Sequence, residues 1–230
     1  MGDERRGQKT VARGTPLVPG VSRPVVGASQ RQLAILVLDT SGSMEGAKIA
    51  EAIAACGACV SELADAKNRG AFEVCVISYA ETAKEYLAPK AATQVRPEDF
   101  AVKTGEVGAW TNISAGLSLA LDVVERPRSG NWARPVVLLL SDGVNTRGPK
   151  PEGMAAALKV KAELISVAFG SDADVALLER LSNSPQHVLK AANGADLRRH
   201  FAVVGRSMSM AARTGQNAAT ILGEGGVLRG

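Results

Sequence analysis

Aromatic residues are scarce, at 3% of the 230 positions: two Trp, two Tyr and four Phe. A core of any size must therefore be assembled from Ala, Val, Leu and Ile, and a hydrophobic content of 46% supplies them. Cysteine is rarer still. Cys56, Cys59 and Cys75 are odd in number and stand in apolar surroundings, unlike a secreted disulfide framework. No run of about 18 apolar residues offers a membrane span, and no apolar stretch near residue 1 resembles a signal peptide. A cytoplasmic protein is expected. Nor is there much charge of one sign: five basic residues against two acidic ones give +3 over residues 1–30, leaving +1 over the other 200. A nearly neutral folded part argues against a nucleic-acid-binding face. The phosphate loop G-x-x-x-x-G-K-[ST] and the nucleophile elbow G-x-S-x-G are both missing, which removes two common catalytic signatures.

What is present centres on Leu33–Ser43, LAILVLDTSGS. The unbroken apolar run Leu33–Leu38 suits a strand buried on both faces of a parallel sheet. Residues 1–31, rich in Gly, Pro, Arg and Ser, read as a flexible basic leader. Apolar spacing of three and four predicts a helix over 45–67, with Ile49, Ile53, Cys56 and Leu63 on one face. Phe72–Tyr79 reads as a strand, Ala83–Leu87 as a short antiparallel edge strand, and Pro97–Phe100 as a helix start. A helix over 112–124, a strand at Val136–Leu140, a helix over 152–161 and a strand at Leu164–Phe169 follow. Further helices are expected over 172–181 and 195–210, with a short strand at 187–189 between them and a tail over 211–230. Strands alternating with helices predict an α/β fold: a doubly wound, mostly parallel sheet flanked by helices, with one short antiparallel edge strand, filling residues 32–210.

In such a sheet, ligands bind beyond the carboxyl ends of strands. Three loops at that edge supply Asp39, Ser41 and Ser43, then Thr111, then Asp142. Two carboxylates and three hydroxyls are hard oxygen donors suited to Mg²⁺, with Mn²⁺ or Ca²⁺ as alternatives; without His or Cys nearby, Zn²⁺ and Cu²⁺ fit poorly. The alternative for the first loop is a polar turn whose Asp and Ser only cap the next helix.

Asp39-Thr40-Ser41-Gly42-Ser43, Thr111 in a Gly-bearing loop, and Ser141-Asp142-Gly143 resemble the metal-ion-dependent adhesion site of von Willebrand factor A (VWA) domains in order and in spacing, roughly 70 and 30 residues. The resemblance covers about residues 32–205 and implies a Rossmann-like fold. It implies that Ser41, Ser43 and Thr111 contact a metal directly or nearly so. Asp39 and Asp142 would act partly through bound waters, and a partner's Glu or Asp carboxylate would fill the remaining position. Among bacterial members the chain looks most like the short intracellular TerY-type proteins of tellurium-resistance and stress operons, with Gly170–Asp174 (GSDAD) suggesting that group. That resemblance implies a kinase or phosphatase encoded nearby as partner.

Met44, Trp110, Asn112 and Asn145, flanking these loops, are the expected partner contacts. Trp110 departs from the family, which commonly has Gly before the Thr of the second loop; the indole either tucks under the loop or stands on the metal face as an anchor.

Other signals carry less. Cys56-x-x-Cys59 lies well inside its helix rather than at an N-terminus, so it reads as core rather than redox-active. His187 and His200 are far from the metal loops, and the Arg126, Arg128 and Arg134 cluster reads as a solvated helix-to-strand connection. Asp39 after an apolar strand superficially resembles the haloacid-dehalogenase nucleophile, so a metal-dependent phosphatase or phosphotransferase is the second function considered. That chemistry wants another carboxylate two residues on, where this chain has Ser41. A scaffold with a vestigial metal site is the third.

Overall fold

The computed structural model describes Gln30–Glu224. Its centre is β1 (Gln30–Asp39), the apolar run that the sequence marks. β2 (Phe72–Tyr79) pairs parallel to it on one side and β5 (Val136–Ser141) on the other. β6 (Glu163–Phe169) and β7 (Val188–Ala191) extend the sheet beyond β5, all parallel. β3 (Ala83–Ala91) closes the other edge antiparallel to β2, so the order is β3-β2-β1-β5-β6-β7. The doubly wound α/β sheet with one antiparallel edge strand is therefore present.

Alternation along β1 explains why no residue of its run can be polar. Ala34, Leu36 and Leu38 face one core with residues of α1 (Ala47–Ala64) and α5 (Gly194–Thr214). Leu33, Ile35 and Val37 face a second core with residues of α2 (Ile113–Glu125), α3 (Glu152–Lys161) and α4 (Val175–Leu181). Each fully buried Leu or Ile contributes about 1.5–3 kcal/mol over an exposed one, so burial on both faces is the main term holding the sheet together. Cys56 and Cys59 belong to the first core and Cys75 to the second; all three are free and buried, and burial pushes the Cys59 and Cys75 thiols up to about 12.

Several expected boundaries shift. The first helix begins at Ala47, not Glu45, because Gly42–Met44 forms a separate 3₁₀ turn and Gly46 takes a left-handed φ of 78° between them. The edge strand runs to Ala91 with register breaks near Val76, and Pro89 is tolerated there because an edge strand needs no donor on its free side. Pro97–Phe100 is one 3₁₀ turn only. The helix after β6 starts at Val175, since the Asp174 carboxylate accepts the Leu177 N–H at 2.9 Å and caps it.

The ends differ more. Gln30 and Arg31, expected in a leader, pair with β4 (Asn131–Trp132), and residues 1–29 lie outside the described residues. The expected tail instead continues α5 to Thr214 and then forms α6 (Ala218–Glu224). Ala218, Ala219 and Leu222 are buried there, and Ala219 N–H donates to Glu163 Oε2 at 2.8 Å. The arginine cluster is also more than a solvated link. Arg128 donates to the Val123 and Val124 carbonyls at the end of α2, and Arg134 to the Lys159 and Ala162 carbonyls at the end of α3, satisfying orphaned helix C-termini. Among the described residues no helix is long and apolar enough to cross a membrane.

Candidate metal centre

The chain leaves β1 toward β2 on one side and later returns to β5 on the other, so the loops after β1 and β5 straddle the point where strand order reverses. The loop before α2 is drawn to the same place by backbone hydrogen bonds. Gly42 N–H donates to Ala109 O at 3.0 Å, Gly105 N–H to Thr40 O at 3.3 Å, and Asn112 N–H to Ala80 O at 2.9 Å.

The five oxygen-bearing residues converge. Ser43 Oγ donates to Asp142 Oδ1 at 2.7 Å, Ser41 and Ser43 hydroxyls lie 3.1 Å apart, and Thr111 Oγ1 donates to Ser41 Oγ at 3.1 Å. Residues 70 and 99 positions apart thus share one chain of contacts. Asp39 sits beneath them, fully buried. Its Oδ1 accepts the Ser41 N–H at 2.9 Å, and its Oδ2 accepts the Tyr79 hydroxyl at 3.3 Å and the Ser141 hydroxyl at 3.2 Å. Burial pushes the Asp39 carboxyl up to about 6, against the pull of the hydrogen bonds from Ser41 and Ser141; the nearby Asp142 charge pushes it further up. Ser41, Thr111 and Asp142 are buried while Ser43 is exposed, so the cluster opens outward at Ser43.

Four further residues support the donors: Ser141 belongs to the Ser141-Asp142-Gly143 motif, whereas Tyr79, Thr146 and Lys48 lie outside every motif. Tyr79, at the end of a strand, and Ser141, before the third-loop Asp, hold Asp39. Thr146 Oγ1 accepts the Thr111 N–H at 2.9 Å, while the Thr146 and Arg147 N–H groups donate to Thr111 O. Lys48, on the first turn of α1, donates to Asp142 Oδ2 at 2.5 Å. Its one hint is a cation at a helix N-terminus, where the macrodipole disfavours positive charge.

Among the described residues no group of three or more His, Cys, Asp or Glu side chains is placed to hold a metal ion. The donor set is therefore two carboxylates and three hydroxyls, which fits a hard, oxygen-seeking cation and not a soft one.

Residues 35–202 match the von Willebrand factor type A domain family. The chain belongs to that family. Human inter-alpha-trypsin inhibitor heavy chain H6 is 28% identical over 163 residues, 64% of this chain, but the match spans only 12% of that much longer protein. The domain is similar in fold to a von Willebrand factor type A protein from Catenulispora acidiphila, with TM-score 0.64 and 19% identity over 79% of this chain and 43% of that one. It is similar also to proximal thread matrix protein 1 of the mussel byssus with a zinc-occupied MIDAS motif, at TM-score 0.61 and 14% identity over 79% and 48% of the two chains. The open pilus adhesin SpaC of Lactobacillus rhamnosus GG gives TM-score 0.67 at 14% identity over 80% and 30%.

Three of the four expected partner contacts serve this VWA domain internally. Met44 is fully buried in the core beside α1 and has no surface to offer, because the 3₁₀ turn after Ser41 rotates it inward. Asn112 caps α2, its Oδ1 accepting the Ala115 N–H at 3.2 Å while its Nδ2 donates to Glu81 O. Asn145 Oδ1 accepts the Ile113 N–H at 2.8 Å and ties the third loop to the same helix. Trp110 is different: it is 52% exposed, with the Arg147 guanidinium 5.6 Å from its ring centroid and Val144 half-exposed on the third loop. His200, by contrast, packs in α5 and its Nε2 donates to Lys190 O, away from the site.

Proposed function

We propose that this VWA domain is a metal-dependent protein-binding module, in which Asp39, Ser41, Ser43, Thr111 and Asp142 hold Mg²⁺ and a Glu or Asp of a partner protein completes the coordination. The observation that carries the reading is the convergence of hydroxyls and carboxylate from three loops at about hydrogen-bond distance, open outward at Ser43. A divalent ion there would supply a Lewis-acidic position for an external carboxylate. The chain's own part is to fix the donors: Tyr79, Ser141 and Thr146 orient them, and the close-packed cores keep the loops in register.

Trp110 and Arg147 are the contacts that would give a partner specificity beside the ion. An exposed indole under a guanidinium is a rigid, amphipathic anchor of the type enriched in interface hot spots. Phosphatase chemistry has no support in the geometry, since Asp39 is buried and both its oxygens are engaged. A kinase or phosphatase partner, an intracellular stress setting and the TerY-type placement rest on resemblance alone.

Capture from a cell extract with Mg²⁺ and with chelator tests the reading. Partner capture should disappear with chelator and in Thr111→Ala. In Trp110→Ala it should fall roughly tenfold, about 1.4 kcal/mol, with Mg²⁺ affinity unchanged. Capture that persists in chelator removes the metal from the mechanism.

A further inference from the structure

Lys48 is a charged side chain on the candidate centre that the metal reading does not use. Its ammonium lies 2.5 Å from Asp142 Oδ2, while the other oxygen of that carboxylate accepts Ser43 Oγ at 2.7 Å. Asp142 thus bridges the metal-facing hydroxyl and a fixed cation. The carboxylate is fully buried, whereas the lysine side chain is 34% exposed and reaches in from solvent along its stem. The helix does not explain this placement, because the first turn of α1 disfavours a positive charge. On the far side Gly170, at φ 84°, leaves room: even a Cβ there would stand 3.9 Å from the lysine nitrogen.

We infer that Lys48 sets the charge of the centre, weakening its hold on the divalent ion and strengthening the loaded centre's hold on a carboxylate. The inference rests on the metal reading above. Asp39 and Asp142 together cancel a divalent ion, so without Lys48 a loaded centre would be neutral and an incoming carboxylate would leave it negative. With Lys48 the loaded centre carries +1, and one partner carboxylate brings it to zero. The ammonium and the metal share Asp142, so each weakens the other's attraction to it, and partial burial limits screening of that competition.

The test compares Mg²⁺ titration calorimetry of chelator-stripped full chain for wild type, Lys48→Gln and Lys48→Arg. Lys48→Met, which preserves the stem's packing, serves as a second neutral variant. Both neutral variants should bind Mg²⁺ roughly tenfold more tightly than wild type, and Lys48→Arg should stay close to it. With Mn²⁺ bound, acetate is the carboxylate probe, read by the fall in water-proton relaxation as it displaces metal-bound water. Wild type should bind acetate at least about threefold more tightly than the neutral variants. Unchanged or weaker Mg²⁺ binding in both neutral variants, or equal acetate binding, overturns the inference. Wild type that binds no Mg²⁺ at all defeats the underlying metal reading instead.

Discussion

Side chains around Asp39 show how closely the site depends on packing below it. Tyr79, whose hydroxyl reaches Asp39, has its ring pressed closely by α2 at Gly116. A Cβ at Gly116 would sit 2.9 Å from Tyr79 Cγ and 3.0 Å from Val37 Cγ1. On an open helix face Gly→Ala gains about 1 kcal/mol. Here overpacking, at roughly 1–3 kcal/mol, should win. Gly116→Ala is expected to lower stability in urea denaturation and to weaken Mg²⁺ binding by shifting the Tyr79–Asp39 contact; a stabilised variant would refute the close approach. At this scale the convergence of Asp39, Ser41, Ser43, Thr111 and Asp142 is legible from motif spacing. Tyr79, Lys48 and Thr146 are not, because each reaches the site through a contact between segments with no local pattern. Met44 misled for the opposite reason: adjacency in sequence to Ser43 says nothing about which way a 3₁₀ turn faces.

Among elements, α5 and α6 carry the largest departure from the sequence reading. The run after Thr214 has too short an apolar pattern to identify as a helix, yet α6 is held by buried Leu222 and by the Glu163 carboxylate at its first turn. His187, near that same contact, is held below its usual 6.5 by burial, while a hydrogen bond that it donates to the Ala219 backbone and the Glu163 charge act the other way. A depressed histidine contributes stability while neutral. That contribution is present above the ordinary value and lost as pH falls through the folded one. Wild type should therefore lose stability between about pH 7.5 and pH 5.5 more steeply than His187→Asn, as read by urea denaturation at the two values. Parallel losses would show that His187 titrates alike in folded and unfolded chains. The C-terminal ends of β1 and β5 are plainer in the sequence than this segment, since each strand carries an unbroken apolar run closed by its first polar residue.

For the whole molecule, metal and fold should be linked. The donors come from loops after β1, before α2 and after β5, so an ion bound at the centre joins three parts of the chain. Anything that binds only the folded state stabilises it, by about 2.7 kcal/mol at a hundredfold excess over Kd. Mg²⁺ should raise the thermal midpoint of the wild type in a concentration-dependent way and leave Thr111→Ala nearly unmoved. Equal shifts in the two proteins would indicate a cation site elsewhere.

Sequence alone determined the two-faced burial of β1, the alternation of strands and helices, and the order of the metal-type residues. Those follow from local periodicity and from the types of side chain placed just beyond each strand. Tertiary structure decided which neighbours share the site. It put Lys48 on Asp142, Tyr79 beneath Asp39, Trp110 under Arg147 and Met44 inside, and it folded the expected tail onto Glu163. The physical reason is that each of these depends on the packing of elements distant in sequence, where local spacing carries no energy and the fit of whole surfaces carries nearly all of it.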